Sequence, residues 1–172
     1  DGNMCYGLCD LTGAIAREVR VEDMKKEDFD DRFWRYMKES MDSETPILAG
    51  CEIEDDEDSW FGHAGRVRAT ADGLSLNVAF SILEVSNAIA GKWLVRLHNP
   101  WGGSEWKGAW GDNWDGWKKN PIYKEKLSYK NVDDGSFWMD SHDFAKHFTK
   151  FYLCVTCPDT WHHVRFRKGV WQ

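Results

Sequence analysis

Two kinds of chemistry are available to this sequence, and they sit in different places. Between Trp93 and Trp117, six of the eleven tryptophans share one stretch with Glu105, Asp112 and Asp115. Gly102, Gly103, Gly108, Gly111 and Gly116 open backbone conformations closed to other residues, so the carboxylates between the indoles can be turned toward a common point. Hard cations favour such oxygen donors. Softer donors come from the five cysteines. Cys154 and Cys157 form a lone Cys-x-x-Cys pair, and zinc would need further ligands, from Cys5 and Cys9 or from His162 and His163. Two packing thiols is the simpler expectation. The acidic run from Glu52 to Asp58 could also attract a cation, but charges so close in sequence more often form a solvated loop.

The elements that must position these residues can be read in part. Lys92 to His98 reads as a strand with apolar Trp93, Val95 and Leu97, stopped at Asn99-Pro100 where proline withdraws a ladder donor. Phe29, Phe33, Met37 and Met41 recur every four residues and predict an amphipathic helix over 28–41 whose stripe faces the core. Strands are expected over 47–53, over 73–85, at 137–139 and over 151–155. A turn is expected at 87–91 and partial helix over 121–130. Asp10-Leu11-Thr12-Gly13 is expected to turn into an opening strand that ends near Val21. Ser141 is expected to cap a helix carrying Phe144 and Phe148 on one face. Strands without βαβ alternation predict an α+β domain with an antiparallel sheet and two or three helices.

Composition narrows the class. A chain of 172 residues is about one domain, and its net charge of −7 disfavours nucleic acid, which needs a basic face. No apolar run approaches the ~20 residues needed to span a bilayer. An odd cysteine count in a chain of this size points to reduced thiols in an intracellular, cytoplasmic setting.

Several segments carry a resemblance. Asn99-Pro100-Trp101-Gly102, followed by Glu105-Trp106, Gly108, Trp110 and Asp112-Asn113, resembles the Asn-Pro-Trp-Gly segment of the calpain family of cysteine proteases. Asp10-Leu11-Thr12-Gly13 resembles that family's passage into the second half of its catalytic core, and Leu48-Ala49-Gly50-Cys51 its Leu-Met-Gly-Cys strand. Asp134-Gly135-Ser136-Phe137-Trp138-Met139 with Asp143-Phe144 resembles its Asp-Gly-Glu-Phe-Trp-Met-x-x-x-Asp-Phe. The resemblance implies a papain-like β-rich lobe over residues 1–160. It also implies that residues 161–172 begin a following β-sandwich and that a cysteine-bearing lobe precedes this one. Asn99 would be the asparagine that orients the catalytic histidine, and Trp101 the indole that shields their hydrogen bond.

The histidine itself is where the resemblance fails. The family carries Gly-Leu-x-x-Gly-His-Ala-Tyr-Ser-Val, and here the segment is Gly73-Leu74-Ser75-Leu76-Asn77-Val78-Ala79-Phe80-Ser81-Ile82. Val78 stands at the histidine position, and valine can neither accept a proton nor pair with a thiolate. Gly62-His63-Ala64 is a substitute of three letters only, because Gly65-Arg66-Val67 does not continue the motif. His98 would point to the opposite face of the strand from Asn99. None of the five cysteines lies in a nucleophile context.

The resemblance also implies a calcium site built from Glu105, Asp112, Asp134 and the Val132 carbonyl. Ser136 stands where the family has a glutamate ligand, which would weaken the site. The expectation is a non-catalytic, regulatory or binding lobe, linked to calcium and to protein partners such as cytoskeletal or signalling proteins. The alternative is an active calcium-dependent cysteine endopeptidase completed by the upstream lobe.

Overall fold

The tryptophan-rich stretch is anchored on the two strands that flank it, and those strands belong to one antiparallel sheet. In a computed structural model, which describes residues 4–23, 31–43, 48–54, 68–102 and 105–155, the sheet has six strands. They are β1 (Ile15–Arg20), β2 (Leu48–Glu52), β3 (Ala79–Ser86), β4 (Leu94–His98), β5 (Ser136–Asp140) and β6 (Lys150–Val155), in the order β1-β6-β2-β3-β4-β5. Every pairing is antiparallel. Five α-helices accompany the sheet among the described residues, rather than two or three: α1 (Met4–Thr12), α2 (Asp31–Met41), α3 (Gly116–Lys119), α4 (Pro121–Lys126) and α5 (Ser141–His147).

Period-two alternation explains the first core. Val95 and Leu97 of β4, Phe137 and Met139 of β5, Phe80 and Ile82 of β3, Cys51 of β2 and Phe151 of β6 turn to one face. There they meet Trp34 and Met37 of α2 and Phe144 and Phe148. The expected stripe of α2 is confirmed where it is described: Met37 is fully buried and Phe33 and Met41 pack against the core. Phe144 and Phe148 stack with centroids 4.7 Å apart. Their helix is capped one residue earlier than expected, since the Asp140 carboxylate, not Ser141, accepts the His142 N–H at 2.9 Å.

The opposite face of β4 and β5 carries a second core. Leu94 and Trp138 pack there with Trp110, Trp117, Ile89 and Leu127. Trp117 stacks on Tyr129 at 4.1 Å and donates its indole N–H to the Gly111 carbonyl at 2.8 Å. The tryptophans therefore build a lid over the strand pair, each indole giving a large apolar area.

Two further expectations are corrected. Where a turn was expected at Asp10–Gly13, Asp10 to Thr12 are the last residues of helix α1, which closes with the Gly13 N–H on the Cys9 carbonyl at 2.9 Å. Gly13 takes φ 67°, which ends the helix and starts β1. The strand expected from Gly73 begins only at Ala79, because 73–78 is a turn segment. His63, Cys157, His162, His163, the acidic run beyond Glu54 and the expected β-sandwich start at 161–172 lie outside the described residues.

Because Phe148 is buried in contact with Phe80 and Phe144, Phe148→Ala should lower unfolding free energy by about 3–5 kcal/mol. Urea denaturation of the reduced protein measures it, and a loss below about 1 kcal/mol would show that this cluster does not carry the core.

Candidate functional site

The chain after β4 is held by Asn99, which is 1% exposed. Its side-chain nitrogen donates to the Ser75 hydroxyl at 3.0 Å and to the Gly102 carbonyl at 3.1 Å. Its side-chain oxygen accepts the Trp101 N–H at 3.1 Å. Ser75, itself 2% exposed, lies in the turn segment before β3. Nothing in the sequence had pointed to Ser75. Trp101 is 63% exposed and Val78 packs, partly buried, against the first core. One residue before Val78, Asn77 has φ 54°. In the matched motif that position is glycine, and asparagine is among the residues that best tolerate the left-handed region.

The carboxylates lie on the far side of the same turn. Gly135 donates its N–H to Glu105 Oε1 at 2.9 Å, and its carbonyl accepts the Asn99 N–H at 2.8 Å. Gly135 adopts φ 79°, and a Cβ there would stand 2.6 Å from the Asn99 carbonyl oxygen, so only glycine brings the two segments together. Asp134 Oδ1 accepts from the Ser136 hydroxyl at 2.6 Å and its N–H at 2.9 Å. Arg96 Nη2 reaches the same hydroxyl at 3.2 Å. Asp112 is 7% exposed, and its Oδ2 is buried without a hydrogen-bond partner. The Asp112 carbonyl accepts the Tyr129 hydroxyl at 2.6 Å.

The electrostatics follow from this crowding. Burial, then the Glu105 and Asp134 charges, push the Asp112 carboxyl up to about 6, while the Val132 N–H and Arg96 pull the other way. Burial also raises Glu105, helped by Asp133 and Asp134 and opposed by the Gly135 N–H. Asp134 is lowered by its two bonds from Ser136. Asp115 stands apart, exposed and paired with Lys118. Glu105, Asp112 and Asp134 feel one another's charge, yet no group of three acidic, cysteine or histidine side chains among the described residues is gathered as a bound metal requires.

An antiparallel sheet with helices on its faces and an Asn-Pro-Trp turn at the end of β4 defines an α+β, papain-like cysteine-protease lobe. The sequence profile described as "Calpain family cysteine protease" matches residues 1–155. The chain belongs to that family. Calpain-13 of Rattus norvegicus is 37% identical over 87 residues, 45% of this chain and 13% of that protein. The calpain-1 catalytic subunit of the same species is 41% identical over 88 residues, 46% of this chain and 12% of its own length. The calpain-2 catalytic subunit of Gallus gallus is 40% identical over 76 residues, 44% of this chain and 11% of its own length. The matched segments thus take in about an eighth of the length of these relatives. No helix among the described residues is long and apolar enough to cross a membrane.

Since Asp112 holds its proton more tightly folded than unfolded, its contribution favours folding most below pH ~4 and is lost as pH rises to about 6. In chelator, Asp112→Asn should therefore flatten the fall in Tm between pH 4 and 6.5. Thermal unfolding of both proteins across that range tests it, and parallel curves would refute the assignment.

Proposed function

We propose that this chain is a catalytically inactive, regulatory or binding lobe of a longer calpain-family protein. The single observation carrying that reading is Val78, a hydrocarbon side chain packed against the core where the resemblance expects the catalytic histidine. A cysteine protease needs an imidazole to take the thiol proton and return it to the leaving amine. Asn99 supports the reading from the other side. Its amide, which would orient such an imidazole, already serves Ser75, Gly102 and Trp101.

The working chemistry of the lobe, in this reading, is calcium binding by the loops after β4 and before β5. The donor set suits a hard cation. A buried carboxylate oxygen on Asp112 lacks a partner, Glu105 keeps one oxygen beyond its bond to Gly135, and Asp134 is exposed. The Val132 carbonyl accepts the Asp134 N–H at 2.8 Å and retains a second lone pair. Calcium would supply positive charge that relieves the repulsion raising Asp112 and Glu105. Ser136 brings a hydroxyl in place of a fourth carboxylate, which sets a weak affinity. Its carboxylates would have to draw together from where they stand.

The family match and its likeness to calpain catalytic subunits favour a second reading, an active calcium-dependent cysteine endopeptidase completed by an upstream cysteine lobe, with a base such as His63. In either case the partners are the preceding and following segments of the longer protein and protein ligands or substrates, in an intracellular setting.

The two readings separate experimentally. The full-length protein should leave casein intact at every calcium concentration, and cleavage blocked by a thiol-directed inhibitor would overturn inactivity. Calorimetry should show one weak calcium site that Asp112→Ala abolishes. No heat at millimolar calcium, or binding unchanged in the variant, would remove the calcium assignment.

A further inference from the structure

Helix α1 carries chemistry that the lobe's proposed function leaves unused. Cys5, Cys9 and Thr12 fall four and three residues apart and so share one face of the helix. That face looks onto β6: the Thr12 hydroxyl lies 3.7 Å from Cys154 Sγ. On β6, Cys154 and Tyr152 alternate with the residues of the first core, α1 packs against this strand, and Cys154 has no exposed surface. Cys5 interacts electrostatically with Glu18 and Tyr152, cross-strand partners of the β1–β6 ladder, and with Cys9 and Cys154. Thr12 therefore stands over Cys154, and Cys9 and Cys5 follow it at about one and two turns along the same helix face. Cys9, one turn before Thr12 on that face, is the helix thiol nearest in sequence to the Thr12–Cys154 contact.

We propose that Cys9 and Cys154 form a dithiol site for low-molecular-weight disulfides, closing to a Cys9–Cys154 disulfide that staples α1 to β6. Cys9 is half-buried and reachable from solvent, whereas Cys154 is sealed beneath the helix. The order of events follows. The Cys9 thiolate attacks one sulfur of the small disulfide, forming a mixed disulfide and releasing one small thiolate. Cys154, deprotonated, then attacks the Cys9 sulfur and expels the second thiolate. The two protein thiols are oxidised, the small disulfide is reduced, and the two protons end on the released thiols. Cys5 is a bystander. Burial, Glu18 and the two neighbouring thiols raise its pKa and hold it protonated at neutral pH, where a thiol is a poor nucleophile.

The test uses the full-length protein at pH 8 with oxidised glutathione, followed by peptide mapping without reductant. The parent should give a peptide pair joined through Cys9 and Cys154. Cys5→Ser should give the same pair, and Cys154→Ser should stop with glutathione on Cys9. The oxidised parent should melt about 10 °C higher than the reduced form, because the bond closes a loop of about 145 residues. A Cys5–Cys9 link, or glutathione adducts that persist in the parent, would overturn the proposal. The parent's own map decides even if a variant fails to fold.

Discussion

Asn99 leaves no polar group idle, and the loops of this lobe depend on that. Its N–H donates to Gly135, its carbonyl accepts from Gly102 at 3.2 Å, and both ends of its amide are bonded. A residue so buried would suffer for any one of these left unmade, since an unpaired buried polar group costs about 1–3 kcal/mol. Three segments distant in sequence are thereby fixed to one another: the turn before β3 through Ser75, the loop after β4 through Gly102 and Trp101, and the turn before β5 through Gly135. From Gly135 the connection passes to Glu105, so the asparagine and that carboxylate belong to one hydrogen-bonded assembly.

That assembly can be rigid because the strands under it are covered on both sides. β4 and β5 bury Val95, Leu97, Phe137 and Met139 against the first core and Leu94 and Trp138 against the tryptophan layer. Each large side chain so buried stabilises by roughly 1.5–3 kcal/mol relative to exposure. Such packing can support an unfavourable arrangement nearby, and one is present: a buried Asp112 oxygen without a partner, near two other carboxylates. The indoles hold the loop in place, and the repulsion among its acids is the residual cost.

How much of this could be read beforehand depended on whether the signal was local. The stripe of α2 and the strand stopped by Asn99-Pro100 were legible because period and proline act within a few residues. The carboxylates and Asn99 were singled out from their segments, and Gly135 bonds both Glu105 and Asn99. Ser75, Gly135 and Arg96 were not singled out as partners, since a serine, a glycine and an arginine acquire their roles only when distant segments meet. α1 was missed because its Tyr6, Gly7 and exposed Leu11 blur the apolar stripe; the face it turns to β6 carries two half-buried thiols and a threonine rather than large apolar side chains. Ser141 lost the cap to Asp140 for a related reason, because strand β5 runs one residue further than expected and presents the aspartate in extended backbone.

The presence of Asn99 beside a missing histidine need not be a remnant of catalysis. In this lobe the asparagine satisfies two backbone groups of its own turn, accepts from a third and binds a buried serine, all without an imidazole. Alanine at that position would leave the Ser75 hydroxyl, the Gly102 carbonyl and the Trp101 N–H to find other partners, and two of these belong to the turn that leads into the carboxylate loop. Asn77 makes the same point one strand earlier. It holds the φ 54° bend that a glycine would otherwise supply, so the backbone keeps its path into β3 while Val78 turns a hydrocarbon face to the core. The geometry of the turn and the chemistry of proton transfer are thus separable: the first is carried by Asn99, Ser75 and Asn77, and the second required a side chain that this position does not have.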